Sequence, residues 1–295
     1  MLVLVAAMRF GAPARSQETF ASPDEAANAL LVALETDDYP LFLAVAGQQV
    51  AGFWNTGDPE KDALDRSRFV DAARRKGVRE DAWKGERRLL YVGQIEQPFP
   101  APLVKTAAGW RFDDDAGLRE LLTRRIRRNE IAAIELCERF HDAEYEYFGM
   151  ARGGVRSFAT KIRSTPGQHD GLFWSDGGEE DESPMGPPFA AAAFAESQPA
   201  DGARPLFGYY FKILPAQGPD AAGGALDYRS NGRLHKGFAL IAWPAEYGID
   251  GTRSFLINHF GNVYQKDLGA DTGRIAGTMT VFNPDQSWRR FRGQD

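Results

Sequence analysis

The sequence predicts an α+β protein in which helices pack on antiparallel sheets. Three observations carry this. Residues 206–268 hold short aromatic and β-branched segments bounded by Gly, Pro, Asn and Asp, the pattern of strands in one sheet. Residues 117–148 hold the longest run of apolar residues at helical spacing. Residues 22–113 read as helices followed by strands.

In chain order, Ser22-Pro-Asp-Glu25 combines an N-cap, a proline at the first helical position and a capping-box glutamate. Ala27, Leu30, Leu31 and Leu34 continue that helix. Asp37-Asp38 breaks it and caps a second helix, from Tyr39 to Ala46, which Gly47 stops. Asp58-Pro-Glu60 starts a third, with Leu64, Phe69, Val70 and Ala73 inside and Gly77 at its end. Strands are expected over residues 87–92, 101–105 and 109–113, the last two joined through Ala107 and Ala108. Helices followed by a curved sheet resemble cystatin-like and NTF2-like folds, an argument from topology alone.

Asp113-Asp-Asp115 supplies the cap and the N-terminal negative charge of the long helix. Leu118, Leu122 and Ile126 start its stripe, and Ala133, Cys137, Phe140 and Phe148 continue it. The polar stretch Arg127-Arg-Asn-Glu130 intervenes, so either one helix or two broken near Arg128 is expected. A loop-rich region follows, with an acidic tip over residues 176–183 and an alanine-rich helix over residues 189–195.

The strands come next. Phe207, Tyr209, Phe211 and Ile213 are expected on one face. Residues 238–243 read as a central strand ended by Pro244. Phe255 and Ile257 alternate with Ser254, Leu256 and Asn258. His259-Phe-Gly-Asn262 reads as a hairpin turn leading to a strand at residues 263–267, and a last helix falls within residues 270–280. The domains expected are a signal peptide (residues 1–17), an N-terminal α+β domain (residues 18–116) and a helix-plus-sheet domain (residues 117–295).

At 295 residues, with 43% hydrophobic and 26% charged content, the chain can bury a sizeable core. A net charge of −6 argues against nucleic acid as a partner. The run Arg124, Arg125, Arg127 and Arg128 reads as a solvated or ion-paired helix face. The single cysteine, Cys137, allows no internal disulfide and reads as a buried small residue. The apolar start, followed by Ala12-Pro-Ala-Arg-Ser16, reads as a signal peptide cleaved near residues 14–17, although it lacks a basic start. It places the protein in the periplasm or outside the cell. No later window is long and apolar enough to span a membrane.

No phosphate-binding loop, dinucleotide fingerprint, zinc-protease motif or nucleophile elbow occurs. The histidines His141, His169, His235 and His259 lack zinc-ligand spacing, and no metal or cofactor is expected. The acidic tip departs from the calcium-loop pattern. His169-Asp170, in a glycine-rich loop before Trp174, is a candidate polar site; a polar turn that orders the loop competes with it. Trp54, Trp83, Tyr91 and Trp110 are candidates to line a ligand pocket on the N-terminal sheet, with core aromatics as the competing explanation.

Several stretches together resemble a known family: Phe20-Ala-Ser-Pro-Asp-Glu-Ala26, Gly109-Trp-Arg-Phe-Asp113, Arg124-Arg-Ile-Arg-Arg-Asn-Glu130, Ser164-Thr-Pro-Gly-Gln-His-Asp-Gly-Leu-Phe-Trp174, Tyr209-Tyr-Phe-Lys-Ile-Leu214, Ala216-Gln-Gly-Pro219 and Gly237-Phe-Ala-Leu-Ile-Ala-Trp-Pro-Ala-Glu-Tyr-Gly248. The chain is similar across nearly its whole length to the bacterial family catalogued as domain of unknown function 2950. The resemblance implies export in Gram-negative bacteria and carries no catalytic residues with it. The C-terminal part, with Gly251-Thr-Arg-Ser-Phe-Leu-Ile-Asn258 and Gly261-Asn-Val263, resembles the globular heads of type IV pilins and pseudopilins. Its helix is internal and charged, so the resemblance implies a head fold and not pilus assembly.

The expectation is therefore an exported, non-enzymatic protein that binds an envelope component. The alternative is a small-ligand binder or enzyme that uses the N-terminal sheet.

Overall fold

The computed structural model describes residues 16–55, 59–83, 86–93, 98–151, 154–176, 182–186 and 205–293. The expected signal segment up to residue 15, the middle of the acidic tip and the alanine-rich helix lie outside them. The protein is α+β, with helices and antiparallel sheets. It divides into two compact units, residues 1–123 and 124–295, and the division falls inside the long helix.

In the first unit, α1 (Pro23–Glu35) starts as its sequence demands. Ser22 Oγ accepts from the Glu25 amide at 3.2 Å, and Glu25 Oε2 reaches back to the Ala21 amide at 3.0 Å. Asp38 caps α2 (Tyr39–Ala46) through the Leu41 amide at 2.9 Å, and Gly47, at φ +98°, ends it. The short α3 (Ala51–Trp54) precedes α4 (Pro59–Lys76).

Leu64 departs from expectation: it is 50% exposed. Asp62, Val70 and Ala73 are the buried positions of α4, and this spacing turns residue 64 to the opposite face.

The sheet is a meander, β1 (Val78–Trp83), β2 (Arg87–Val92), β3 (Leu103–Thr106) and β4 (Gly109–Phe112). Strand β1 was not expected. Its Val-Arg-Glu-Asp-Ala-Trp sequence carries the weak signal of an edge strand paired on one side only. Leu90, Leu103 and Phe112 point from the sheet into a core shared with α1, α2 and α4. Phe99 links that core to Phe53 at 4.9 Å and Phe112 at 5.4 Å. Each fully buried Phe contributes about 1.5–3 kcal/mol by leaving water.

Helix α5 (Asp114–Gly149) is continuous over 36 residues, roughly 54 Å at 1.5 Å per residue. No break occurs near Arg128. Asp113 caps it through the Ala116 amide at 3.1 Å.

The second unit holds the sheet β13-β12-β11-β10-β5. Its strands are β5 (Tyr209–Leu214), β10 (Ala239–Pro244), β11 (Ser254–Asn258), β12 (Tyr264–Lys266) and β13 (Arg289–Arg290). Two ribbons intervene: β6 (Ala216–Gln217) with β7 (Leu226–Asp227), and β8 (Arg229–Ser230) with β9 (Arg233–Leu234).

Every residue of β10 and β11 is buried, so the alternation expected of β11 does not translate into a wet face. Ala133, Cys137, Phe140, Ala143 and Tyr147 of α5 share one core with the sheet, and Phe140 meets Phe238 edge-on at 5.6 Å. Helix α6 (Thr272–Thr278) also packs on β10. Lys212 donates to the Gly277 carbonyl at 2.8 Å.

Phe207 does not join β5. It forms a tight turn with Gly208, both at positive φ (+48° and +74°). The amide and carbonyl of Leu206 pair with those of Tyr209 at 2.9 Å. Gly261, at φ +73°, closes the hairpin between β11 and β12 as its sequence implies.

Candidate functional site

The four aromatic candidates of the first unit do not share a surface. Register decides this, because cross-strand partners lie on the same face of a sheet and neighbours along a strand on opposite faces. Trp83 pairs with Arg87, which pairs with Val104, which pairs with Arg111. Tyr91, two residues apart from Leu89 and four from Arg87, belongs to that same face. Trp110 pairs with Lys105 and shares the other face with Phe112. Trp54 sits on α3, buried against Phe42 at 5.0 Å and Tyr39 at 5.5 Å.

Each of the four rings carries an arginine: Arg66 over Trp54 at 4.5 Å, Arg79 over Tyr91 at 4.5 Å, Arg87 over Trp83 at 5.7 Å and Arg88 over Trp110 at 5.5 Å. A stacked guanidinium occupies the ring face a ligand would use.

Among the described residues, two surface clefts of this unit are candidates for a ligand. One, of about 330 Å³, is lined by Glu86, Arg87, Val104, Lys105, Arg111 and Asp113. Its cations are engaged, Arg87 with Asp113 at 3.4 Å and Lys105 with Glu86 at 3.9 Å. The other, of about 290 Å³, is crossed by the pairs Arg74–Glu35 at 2.8 Å and Arg66–Asp37 at 3.0 Å. None of the four rings lines either cleft.

His169 and Asp170 turn to different partners. The His169 ring stacks on Trp174 at 4.7 Å, and its Nε2 lies 2.9 Å from Asp176. Asp170 accepts from the Thr165 amide at 2.7 Å and the Thr165 hydroxyl at 3.0 Å, and pairs with Lys161 at 2.7 Å. Burial opposes ionisation of Asp170, but the bonds from Lys161 and Thr165 outweigh it and hold its pKa below the usual carboxylate range. These contacts order the loop.

Two fully buried titratable groups of α5, Glu144 and Cys137, are equally committed to structure. Glu144 is fully buried and desolvation holds its carboxyl well above the usual range; its Oε2 accepts from the Ala159 amide at 2.7 Å. Burial likewise pushes the Cys137 thiol up, away from the reactive thiolate. Among the described residues no group of three His, Cys, Asp or Glu side chains could hold a metal ion.

A different place in the second unit combines exposure, strain and support. Phe207, at the tip of its turn, is 54% exposed. A bulky residue in the left-handed region costs roughly 1–2 kcal/mol. The loop over residues 245–251 lies beside it: the Ala245 amide donates to the Gly208 carbonyl at 2.8 Å. This loop presents Tyr247 and Ile249, 37% and 39% exposed.

Beneath these apolar side chains the support is polar and buried. A Cβ on Gly208 would stand 2.7 Å from Asn129 Nδ2 and 2.9 Å from Asp250 Cβ, so only glycine fits there. Asn129 Nδ2 donates to the Asp250 carbonyl at 3.0 Å. Glu130 Oε1 accepts from the Thr252 amide and hydroxyl, both at 3.0 Å, and from the Arg253 amide at 3.1 Å.

A family model described as Protein of unknown function (DUF2950) matches residues 17–291. The chain belongs to that family. No curated protein and no solved structure matches it.

In this DUF2950 chain the residues that build the exposed end of the sheet are the ones sequence reading passed over. Asn129 and Glu130 stand as an interruption of an apolar stripe when only hydrophobicity is counted. Their spacing carried the missing signal: residues 126, 129, 130, 133 and 137 continue one helical face, so polar side chains among them enter the interior and require partners.

Proposed function

We propose that this chain is an exported bacterial envelope protein that acts by binding, through the end of its C-terminal sheet formed by the Phe207 turn and the loop over residues 245–251. The observation that carries the reading is Phe207. Its backbone is held in a conformation that disfavours a bulky side chain, yet its ring gains little burial in return. Such a combination marks positions kept for recognition. Tyr247 and Ile249 extend the same apolar surface, and the buried Asn129, Glu130 and Asp250 keep it preorganised.

Two further lines support the reading. The titratable groups most suited to chemistry, His169, Asp170, Glu144 and Cys137, are engaged in ordering loops or lie within the core. The apolar start of the sequence, with its small-residue cleavage pattern, supports export. In finer detail we read the first unit as cystatin-like or NTF2-like and the helix-on-sheet second unit as akin to a pilin head.

The test has two arms. The full chain, expressed in a Gram-negative host, is expected in the periplasmic or extracellular fraction with its leader removed near residues 14–17. It is also expected to co-fractionate with the envelope in a manner that Phe207→Asn abolishes without unfolding it. Retention in the cytoplasm with an intact leader overturns export. Envelope association unchanged in Phe207→Asn overturns the assigned surface.

A further inference from the structure

The ribbon of β8 and β9 closes over Asn231 and Gly232, between the paired residues Ser230 and Arg233. Both turn residues lie at positive φ, +52° and +77°. That is the signature of the type I′ turn, which Asn-Gly favours because asparagine tolerates the left-handed region and glycine enters it without strain. Each strand of the ribbon is two residues long, and residues 229–233 are all exposed. A ribbon this short is marginal by itself, so its tip opens readily.

The same dipeptide carries a chemical property. The chain has seven asparagines, and Asn231 is the one followed by glycine. Glycine has no side chain to shield its backbone nitrogen, so that nitrogen can approach the amide carbon of the preceding side chain. Three other asparagines are held by hydrogen bonds, Asn129 to Asp250, Asn258 to Phe260 and Asn283 to Asp220. Among the described residues no hydrogen bond fixes the Asn231 side chain.

We propose that Asn231 is a site of spontaneous covalent modification, converting to aspartate and isoaspartate in the folded protein. The Gly232 backbone nitrogen, having lost its proton, attacks Cγ of Asn231. A C–N bond forms, the Cγ–Nδ2 bond breaks, and Nδ2 takes a proton and leaves as ammonia. The product is a cyclic imide. Water then adds to one of its two carbonyls. Addition at Cγ gives aspartate; addition at the main-chain carbonyl gives isoaspartate, whose backbone runs through Cβ and Cγ. One water is consumed and one ammonia released, with no oxidant or reductant.

The ribbon transmits this change to the core. Isoaspartate inserts one methylene into a two-residue turn, and the pairing of Ser230 with Arg233 cannot absorb it. Leu234, the next residue, is 1% exposed, and its carbonyl accepts from the Phe158 amide at 2.7 Å. Conversion at the tip therefore loosens the segment that seats Leu234 and ties it to Phe158. It also adds one negative charge to a chain that already carries −6.

The test is incubation of the purified full chain at pH 6 and pH 8 over several weeks, followed by mass-spectrometric peptide mapping. A synthetic peptide of residues 227–236 supplies the same sequence without the ribbon. Amide loss is expected at Asn231 before any other asparagine, in the folded chain as well as in the peptide. It should be faster at pH 8, because the attack needs the deprotonated nitrogen. Gly232→Ala should slow it severalfold. The converted fraction, separated by ion exchange, should show faster hydrogen exchange at the Phe158 amide.

An intact Asn231 in the folded chain, while the peptide converts, would mean that the turn holds the side chain out of reach and overturns the inference. Earlier conversion of another asparagine overturns it too, as does a rate indifferent to pH or to Gly232→Ala. Thermal melting establishes whether Gly232→Ala folds; where it does not, the comparison of pH 6 with pH 8 on the unaltered chain decides. Unchanged exchange at Phe158 in the converted fraction overturns the coupling to the core.

Discussion

Arg125 donates to the buried Asp250 carboxylate at 2.6 Å, joining the long helix to the loop that follows β10. The other carboxylate oxygen accepts from the Glu246 amide at 3.2 Å, so one side chain closes the loop on itself and fastens it to the helix. Asp250→Ala should therefore destabilise the second unit by about 1–3 kcal/mol, the range for lost hydrogen bonds to a charged group. Urea denaturation followed by tryptophan fluorescence measures this. An unchanged midpoint would mean the loop stands without the helix.

Phe207→Asn should not destabilise the fold. Asparagine tolerates the left-handed region far better than phenylalanine, so relief of strain offsets the modest loss of ring contacts. The expected change is a gain between zero and about 1 kcal/mol. A drop of more than about 1 kcal/mol would place the ring within the core.

Trp243→Ala should be severe. Trp243 is 2% exposed on β10, an interior strand next to the edge strand β5, and packs on Tyr210 at 5.9 Å. Truncating a buried Trp costs about 3–5 kcal/mol. An unaltered melting temperature would contradict the burial of β10.

The pH dependence of stability should carry the mark of Glu144. Its pKa in the folded protein is raised by burial above the ordinary value of 4.5. Below that ordinary value the carboxyl is protonated whether the chain is folded or not, and it costs the fold no ionisation energy. As pH rises above it, the unfolded chain ionises first and is favoured, so stability falls until the folded pKa is passed. Glu144→Gln removes this slope. The variant should gain stability relative to the wild type between pH 4 and pH 8, in chemical denaturation at both pH values. A constant difference would assign the effect to packing.

A fragment spanning residues 117–295 should be soluble and unfold cooperatively, because it retains the helix that covers the strands. A fragment starting at residue 153 lacks Phe140, Tyr147 and the Asn129–Glu130 anchors and should aggregate through its bare apolar face. Circular dichroism and tryptophan fluorescence on both decide. A molten longer fragment would show that residues before 117 contribute to this core.

Much of this architecture is legible in sequence wherever one local rule acts alone. Ser22, Asp38 and Gly47 set helix ends because caps and positive φ are properties of a few residues. The β3–β4 hairpin closes over Ala107 and Ala108, where strand patterns flank a short gap. Legibility fails where tertiary context decides. Leu64 is apolar but lies on the wet side of α4. Strand β1 has charged residues that its edge position tolerates. Phe207 sits in a turn that its composition disfavours.

The candidate surface was harder to see than the fold. It depends on Asn129 and Asp250, 121 residues apart, meeting in space. Nothing local in either segment announces that pairing.

The pairing order of the C-terminal sheet sets a sequence of folding events. Strands β10, β11 and β12 are successive in the chain and adjacent in the sheet, so their ladders close over short loops at small entropic cost. Strand β5 joins β10 across a longer segment that carries two ribbons, with Leu214 facing Ala239. The three-strand meander is thus the expected nucleus, with higher φ-values at its contacts than at those of β5 and the long helix. Until β5 pairs, the most apolar strand of the protein has one unsatisfied edge. An aggregation-exposed stage is expected in that interval, before Tyr209 and Phe211 reach their places.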